Sequence, residues 1–373
     1  MSTLWTGPAS PRPPAPSEPA AGPASAGLAG EPLPAATALE VLDALDPAAV
    51  PDVFPVPLLA VDLERSRPDD LRELAARRPA LVLVGVADGN RPSAPGGAER
   101  LDVVLPEVAD AAGSLADLIT AVRANPIAAV TLCGLLRTSA GLPALDALVA
   151  ESLAYSTLLA GPEFARWRAT SPSRAYRPSP EPVLVRREGR RLRLLINRPE
   201  VRNAYDTATR DALVAALRAA RADSGIDDIS LEAVGVAFGA GGDLGQFGTT
   251  PDPATAHLIR IGCAAGAEIV RGGPPVTAYL HGACVGAGIE VPAFAGRVVA
   301  TPDTFAALPE LAMGLVPGAG GTVSLTRRMG RRRTAWLVLS GARLPAVTAQ
   351  RWGLVDTIVE QVPRGEQTAA PAG

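Results

Sequence analysis

The chain of 373 residues contains no lysine. That absence excludes Schiff-base catalysis, a pyridoxal-phosphate lysine and the lysine of a phosphate-binding P-loop. Histidine is almost as scarce, with only His257 and His281, and the three cysteines, Cys133, Cys263 and Cys284, fall in no CxxC or HxxxH spacing. A zinc centre or a Ser-His-Asp triad has little to be built from, and three scattered thiols make no disulfide framework. No metal site is expected. Charge of one sign is also missing: 35 basic against 38 acidic residues leave a formal net charge of -3, so no overall field would hold nucleic acid or an anionic membrane. No uncharged apolar run reaches the ~18 residues of a membrane span, and the N-terminus lacks the basic-then-apolar pattern of a secretory signal. A cytoplasmic protein is expected, whose chemistry must lean on carboxylates and backbone dipoles.

What is present is a globular balance, 47% hydrophobic and 20% charged, in a length that suits about two domains. Residues 1–36 are dominated by Pro, Ala, Ser and Gly and are expected to be disordered; 363–373 reads as a flexible tail. Between 37 and 177 the apolar run Val56–Val61, a helix-like stretch opening with Pro68 and Asp69, and the strand-like Ala80–Val86 closed by Asp88-Gly89-Asn90 predict a small α/β unit. Helical spacing follows from Ser114 through Leu115, Leu118, Ile119 and Val122, and again from Leu145 to Leu159. Four prolines between Ser171 and Pro182 mark a linker. After it, Val183–Arg187 and Leu192–Asn197 read as strands joined at Glu188-Gly189-Arg190, and Thr207–Ala222 as an amphipathic helix.

Three glycine-rich passages then succeed one another: Phe238 to Leu244 (FGAGGDL), His281 to Glu290 (HGACVGAGIE) and Leu308 to Gly321 (LPELAMGLVPGAGG). None is GxGxxG or a Walker loop. A strand-to-glycine-to-helix turn leaves backbone N–H groups free to meet a developing negative charge, and two such turns face to face make an oxyanion hole.

These passages, with Asn197 to Ala204 before them and Gly353-Leu354-Val355 after, resemble in order and spacing the successive motifs of the crotonase (enoyl-CoA hydratase/isomerase) superfamily. The resemblance implies an α/β fold with a crotonase-type spiral of strand-strand-helix repeats over 178–362, preceded by a smaller, helix-rich α/β unit. It puts the oxyanion-hole N–H donors at Gly242 and Ala287, the catalytic glutamates at Glu290 and Glu310, and substrate contacts at Ala240, Gly241, Asp243, Leu244 and Gly286. It further implies hydration of an α,β-unsaturated acyl-CoA with no cofactor beyond the coenzyme A of the substrate, in a homo-oligomer. Glu290 would activate water and Glu310 protonate carbon. Alternatives are a double-bond isomerase of the same superfamily and a catalytically silent partner subunit.

Around these positions, His281 and Cys284 are expected to pack, and Asp243 to cap a helix after its loop. Arg202 and the run Arg327, Arg328, Arg331, Arg332 and Arg333 suit either coenzyme A phosphates or a solvated surface. Pro292 is expected within the first turns of a helix beginning near Gly286. The stretch Asn125-Pro126 through Glu151 to Glu163-Phe164 resembles the family's terminal helices. Residues 37–177 therefore read either as a degenerate crotonase-like copy whose last helices cap the second half, or as an unrelated α/β unit.

Overall fold

The computed structural model describes residues 31–44, 56–77, 80–87, 95–109, 114–171 and 175–363. The turn expected at 88–90, most of the N-terminal segment and nearly all of the tail lie outside them. The first helix, α1 (Ala35–Asp43), opens inside the segment expected to be disordered: Ala35 is buried and its N–H donates to Ser66 Oγ, and Leu33 bridges to Val61. In sequence Pro34 and the alanines after it are indistinguishable from the low-complexity run before them.

Strands β1 (Leu58–Asp62), β2 (Val82–Val86) and β3 (Val103–Val104) form a parallel sheet, with α2 (Pro68–Ala76) as the crossover between the first two. Side chains alternate across a strand, and the alternation divides two cores. Leu59, Val61, Leu81 and Leu83 pack with Leu71 and Leu74 of α2 in a small cluster. Leu58, Ala60, Val82 and Val84 join a larger one that runs without a break into the second half of the chain.

The link is helical. Helix α3 (Leu115–Ala124) starts at a Ser114/Asp117 capping box, and α4 (Pro126–Ser139), α5 (Ala144–Leu159) and α6 (Pro162–Thr170) each begin at or just after a proline. From there the chain alternates strand pairs with helices: β4 (Val183–Glu188) and β5 (Arg191–Ile196), then α7 (Thr207–Ala222); β6 (Asp228–Ala233) and β7 (Gly239–Ala240), then α8 (Pro253–Gly262) and α9 (Ala265–Val270); β8 (Val276–Leu280) and β9 (Ala283–Val285), then α10 (Ala287–Glu290); β10 (Arg297–Ala300) and β11 (Phe305–Ala307), then α11 (Gly321–Met329) and α12 (Arg331–Ser340); last β12 (Leu344–Pro345), α13 (Ala346–Arg351) and β13 (Thr357–Ile358). One sheet runs β13-β10-β8-β6-β5-β4, all parallel except the β4/β5 hairpin; a second runs β12-β11-β9-β7. Thus α/β is the fold class. Among the described residues no single helix is long and apolar enough to cross a membrane.

Helices α4 and α5 pack on α11, α12, α8 and α9 of the second half. The arginine run does part of this joining. Arg327 donates to Leu142 O at 3.0 Å, Arg331 to Glu99 O at 2.8 Å, and Arg332 makes a two-pronged pair with Glu107, both bonds 2.8 Å. Neither expectation for these residues anticipated a seam between distant parts of the chain. Arg328 reaches Asp356, and Arg333 lies over the Trp352 ring. Helix α10 spans only four residues, because Pro292 has no N–H to continue it and a 3-10 turn, Pro292–Phe294, takes over. Pro292 thus lies beyond that helix.

Candidate active site

The glycine passages meet around one cavity of about 310 Å³. Its wall includes Gly242, Asp243, Ala287, Glu290 and Glu310 from the second half and Leu148, Glu151 and Tyr155 of α5 from the first. Strands β7 and β9 run in parallel register, Ala240 beside Val285, which brings the turn after β7 against the start of α10. Gly286 caps that helix at φ +49°, a backbone that a side chain rarely adopts. A Cβ there would lie 2.7 Å from Glu310 Oε1, 3.3 Å from the Gly241 Cα and 3.9 Å from Glu290 Oε1. Gly286 is therefore the point where both carboxyl groups and both glycine turns converge. Neither the Gly242 N–H nor the Ala287 N–H finds a protein acceptor among the described residues.

The loop before α11 holds two carboxylates in alternation. Glu290 Oε2 accepts from Ala319 N at 2.8 Å and Gly321 N at 2.9 Å. Glu151 accepts from Gly320 N at 2.7 Å, Thr322 N at 2.9 Å and Thr322 Oγ1 at 2.6 Å. Four successive amides at a helix start thus serve two buried acids brought from positions 139 apart. Glycine is required in this loop by contact: a Cβ on Gly318 would stand 2.5 Å from the Tyr155 ring, and one on Gly320, at φ +106°, would meet Phe294 at 2.4 Å.

Burial dominates the titration of all three acids. It pushes Glu290 up to about 7, against the pull of the Ala319 and Gly321 amides. It pushes Glu151 up to about 8, the Glu290 charge adding to it and the Thr322 and Gly320 donors opposing. Glu310 is held well above the ordinary carboxylate range by burial and then by the Glu290 charge, and its Oε2 has no hydrogen-bond partner among the described residues. The Glu290 charge acts on both Glu151 and Glu310, so the protons belong to the group of three and not to one residue.

Asp243 caps no helix. Its Oδ1 accepts from Gly245 N at 3.0 Å inside a turn, and its Oδ2 takes Arg198 Nη2 at 3.0 Å. Arg198 is fully buried, also 3.2 Å from Asp206, so it clamps the turn that carries Gly242. Ala240, Gly241, Leu244 and Gly286 shape the backbone around the cavity but do not wall it. His281 is buried, its Nε2 3.0 Å from Gly235 O, and Cys284 is a core residue whose thiol burial pushes up. Glu151 and Arg198 fall within quoted motifs, but neither was expected at the site. A lone carboxylate on the apolar face Leu148, Glu151, Tyr155 was the signal for the former.

The enoyl-CoA hydratase/isomerase family matches residues 192–368. The 2,3-dehydroadipyl-CoA hydratase of Escherichia coli (strain K12) is 35% identical over 176 residues, 47% of this chain and 68% of that protein. Among solved structures, enoyl-CoA hydratase from Thermoplasma volcanium GSS1 aligns at 31% identity and TM-score 0.45 over 48% of this chain and 72% of that one. An enoyl-CoA hydratase from Mycobacterium smegmatis aligns at 30% and 0.45 over 48% and 70%. The chain belongs to the enoyl-CoA hydratase/isomerase family.

Proposed function

We propose that the protein adds water across, or removes it to form, the double bond of an α,β-unsaturated acyl-CoA thioester. The observation that carries this reading is the convergence at Gly286 of Glu290, Glu310 and two glycine turns with unengaged amides. The Gly242 and Ala287 N–H groups would receive the thioester oxygen as it gains charge in the enolate-like stage, a donation typically worth ~10²–10³ in rate per donor. Glu290, poised near neutrality and oriented by Ala319 and Gly321, takes the proton from water as its oxygen bonds the β-carbon. Glu310, kept protonated by burial, delivers a proton to the α-carbon. Water supplies both the new hydroxyl and, after return of the proton through the carboxyl groups, the new C–H bond. Glu151 positions rather than reacts: it fixes the same four-amide loop that aims Glu290. Coenzyme A enters as part of the substrate.

The test is loss of the conjugated enoyl-thioester absorbance with wild-type protein and with Glu310→Gln. The isosteric amide preserves packing but carries no transferable proton, so hydration should fall by ~10²–10⁴ with the fold intact. Turnover near that of wild type would remove Glu310 from the reaction.

A further inference from the structure

Three arginines line the cavity, Arg210, Arg260 and Arg271. Two of them are spoken for: Arg210 pairs with Asp211 and Arg271 with Glu268, each at 2.7 Å. Arg260 forms no ion pair among the described residues. Its guanidinium stacks 4.5 Å from the centre of the Tyr155 ring, and one edge is pinned to α5: Nε donates to Ser152 Oγ at 3.1 Å, and Nη2 donates to Ser156 Oγ and to Ser152 O. Ser152 is itself held by His257 Nδ1 at 2.9 Å, and Ser156 by Pro253 O at 2.8 Å. The third nitrogen, Nη1, has no hydrogen-bond partner among the described residues. Glu151 stands nearest in sequence to these serines, but its carboxylate is occupied by Gly320 and Thr322.

A partly buried cation is ordinarily matched by an anion, and a guanidinium held by stacking and by two serines, with one nitrogen left over, is prepared to donate to a carboxylate oxygen. The surrounding wall, with Leu145, Leu148, Val149, Leu159 and Phe247, is apolar and suits methylene groups. Given the acyl-CoA reading above, on which this step rests, we propose that Arg260 binds a carboxylate at the end of the acyl chain remote from the thioester. The preferred substrate class is then the CoA thioester of an unsaturated dicarboxylic acid.

The affinity of the full chain is measured by calorimetry for two saturated acyl-CoA thioesters of equal length, one ending in a methyl group and the other in a carboxylate. Saturated ligands cannot be hydrated, so the reading does not depend on turnover. Wild-type protein should favour the carboxylate, and Arg260→Met should cut the ratio of the two dissociation constants by about tenfold, the order expected for one charge-assisted contact. Arg260→Lys, which keeps the charge but not the guanidinium that the serines orient, should retain part of the ratio. Arg260→Gln, which can still bond the serines, replaces the methionine variant if that one unfolds. Equal weakening of both ligands would mean that Arg260 meets a coenzyme A phosphate or only supports α5 against α8, and an unchanged ratio would mean that it meets neither; both overturn the proposal. Absence of enoyl-CoA hydration in a separate assay would overturn the hydratase reading while leaving this ratio to decide the role of Arg260.

Discussion

At the scale of single residues, the cavity holds carboxyl groups displaced from their usual titration, and on the proposed reaction this has two opposite readouts. The proposed reaction needs Glu290 ionised, so kcat/KM should rise as pH passes through about 7, and an acid limb at the ordinary carboxylate value would remove Glu290 as the base. Stability runs the other way. The folded chain keeps protons on Glu290 and Glu151 that the unfolded chain has already released at the ordinary value of 4.5. The native state therefore binds more protons, and stability is fully present below that value and declines as pH rises to about 8. Denaturant midpoints taken at about pH 5 and about pH 8 should show the fall, and Glu151→Gln should reduce it; equal slopes in the two proteins would mean that Glu151 does not titrate in this way. A third readout concerns the backbone. Gly286→Ala places a methyl 2.7 Å from Glu310 Oε1 at a positive φ, so turnover should drop by about a hundredfold with secondary structure kept, comparable to the loss of one catalytic contact. Activity within a few-fold of wild type would mean that the carboxyl can move without consequence.

Among the elements, those with a local cause were legible and those made by distant partners were not. Helix α7 occupies the expected Thr207–Ala222, because a 3.6-residue apolar stripe and the Asp206 cap, accepting from Thr209 N at 2.7 Å, are both local signals. The β4/β5 hairpin follows equally from alternation and a glycine turn. That Glu290 and Glu310 would meet at one cavity followed from their register with the glycine passages. The place of Glu151 did not, since its partner Gly320 is 169 residues away and nothing near either residue announces the other. Helix α6 shows the same kind of hidden role. Glu163, nearly fully buried, accepts from Ile127 N at 2.8 Å and Ala128 N at 2.9 Å, standing in for the missing side-chain cap of α4. Its own Cβ lies where a side chain on Gly314 would be, so the same residue presses on the turn that carries Glu310. Glu163→Ala should cost about 2 kcal/mol in a denaturant melt, because two buried amides lose a charged acceptor. A midpoint equal to that of wild type would show that water replaces the carboxylate without loss.

For the whole molecule, the decisive feature is that the cavity has walls from both halves of one continuous core. Residues 178–363 contribute the glycine turns, Glu290 and Glu310, while α5 contributes Glu151, Tyr155 and the lining leucines Leu145, Leu148 and Leu159. The sequence signalled this only as a loose likeness of 125–168 to terminal helices, because a packing partner leaves no periodic mark on the surface it covers. Removing the first half would bare the faces of α11 and α12 against which α4 and α5 pack, together with the arginines that reach Leu142, Glu99 and Glu107. Contiguous exposed apolar surface drives association. A fragment of residues 178–373 should therefore be insoluble or bind a hydrophobic dye strongly. Residues 31–177, added as a separate chain, should restore solubility and with it the proposed hydration, since they return both the apolar cover and the carboxylate that holds Gly320 and Thr322. Rescue by a Glu151→Gln version should recover solubility but less activity, separating the covering role of the helices from the positioning role of that one side chain. If the fragment alone is monodisperse and turns substrate over at the rate of the full chain, the first half is an appendage, and the alternating amide loop aims Glu290 without help from Glu151.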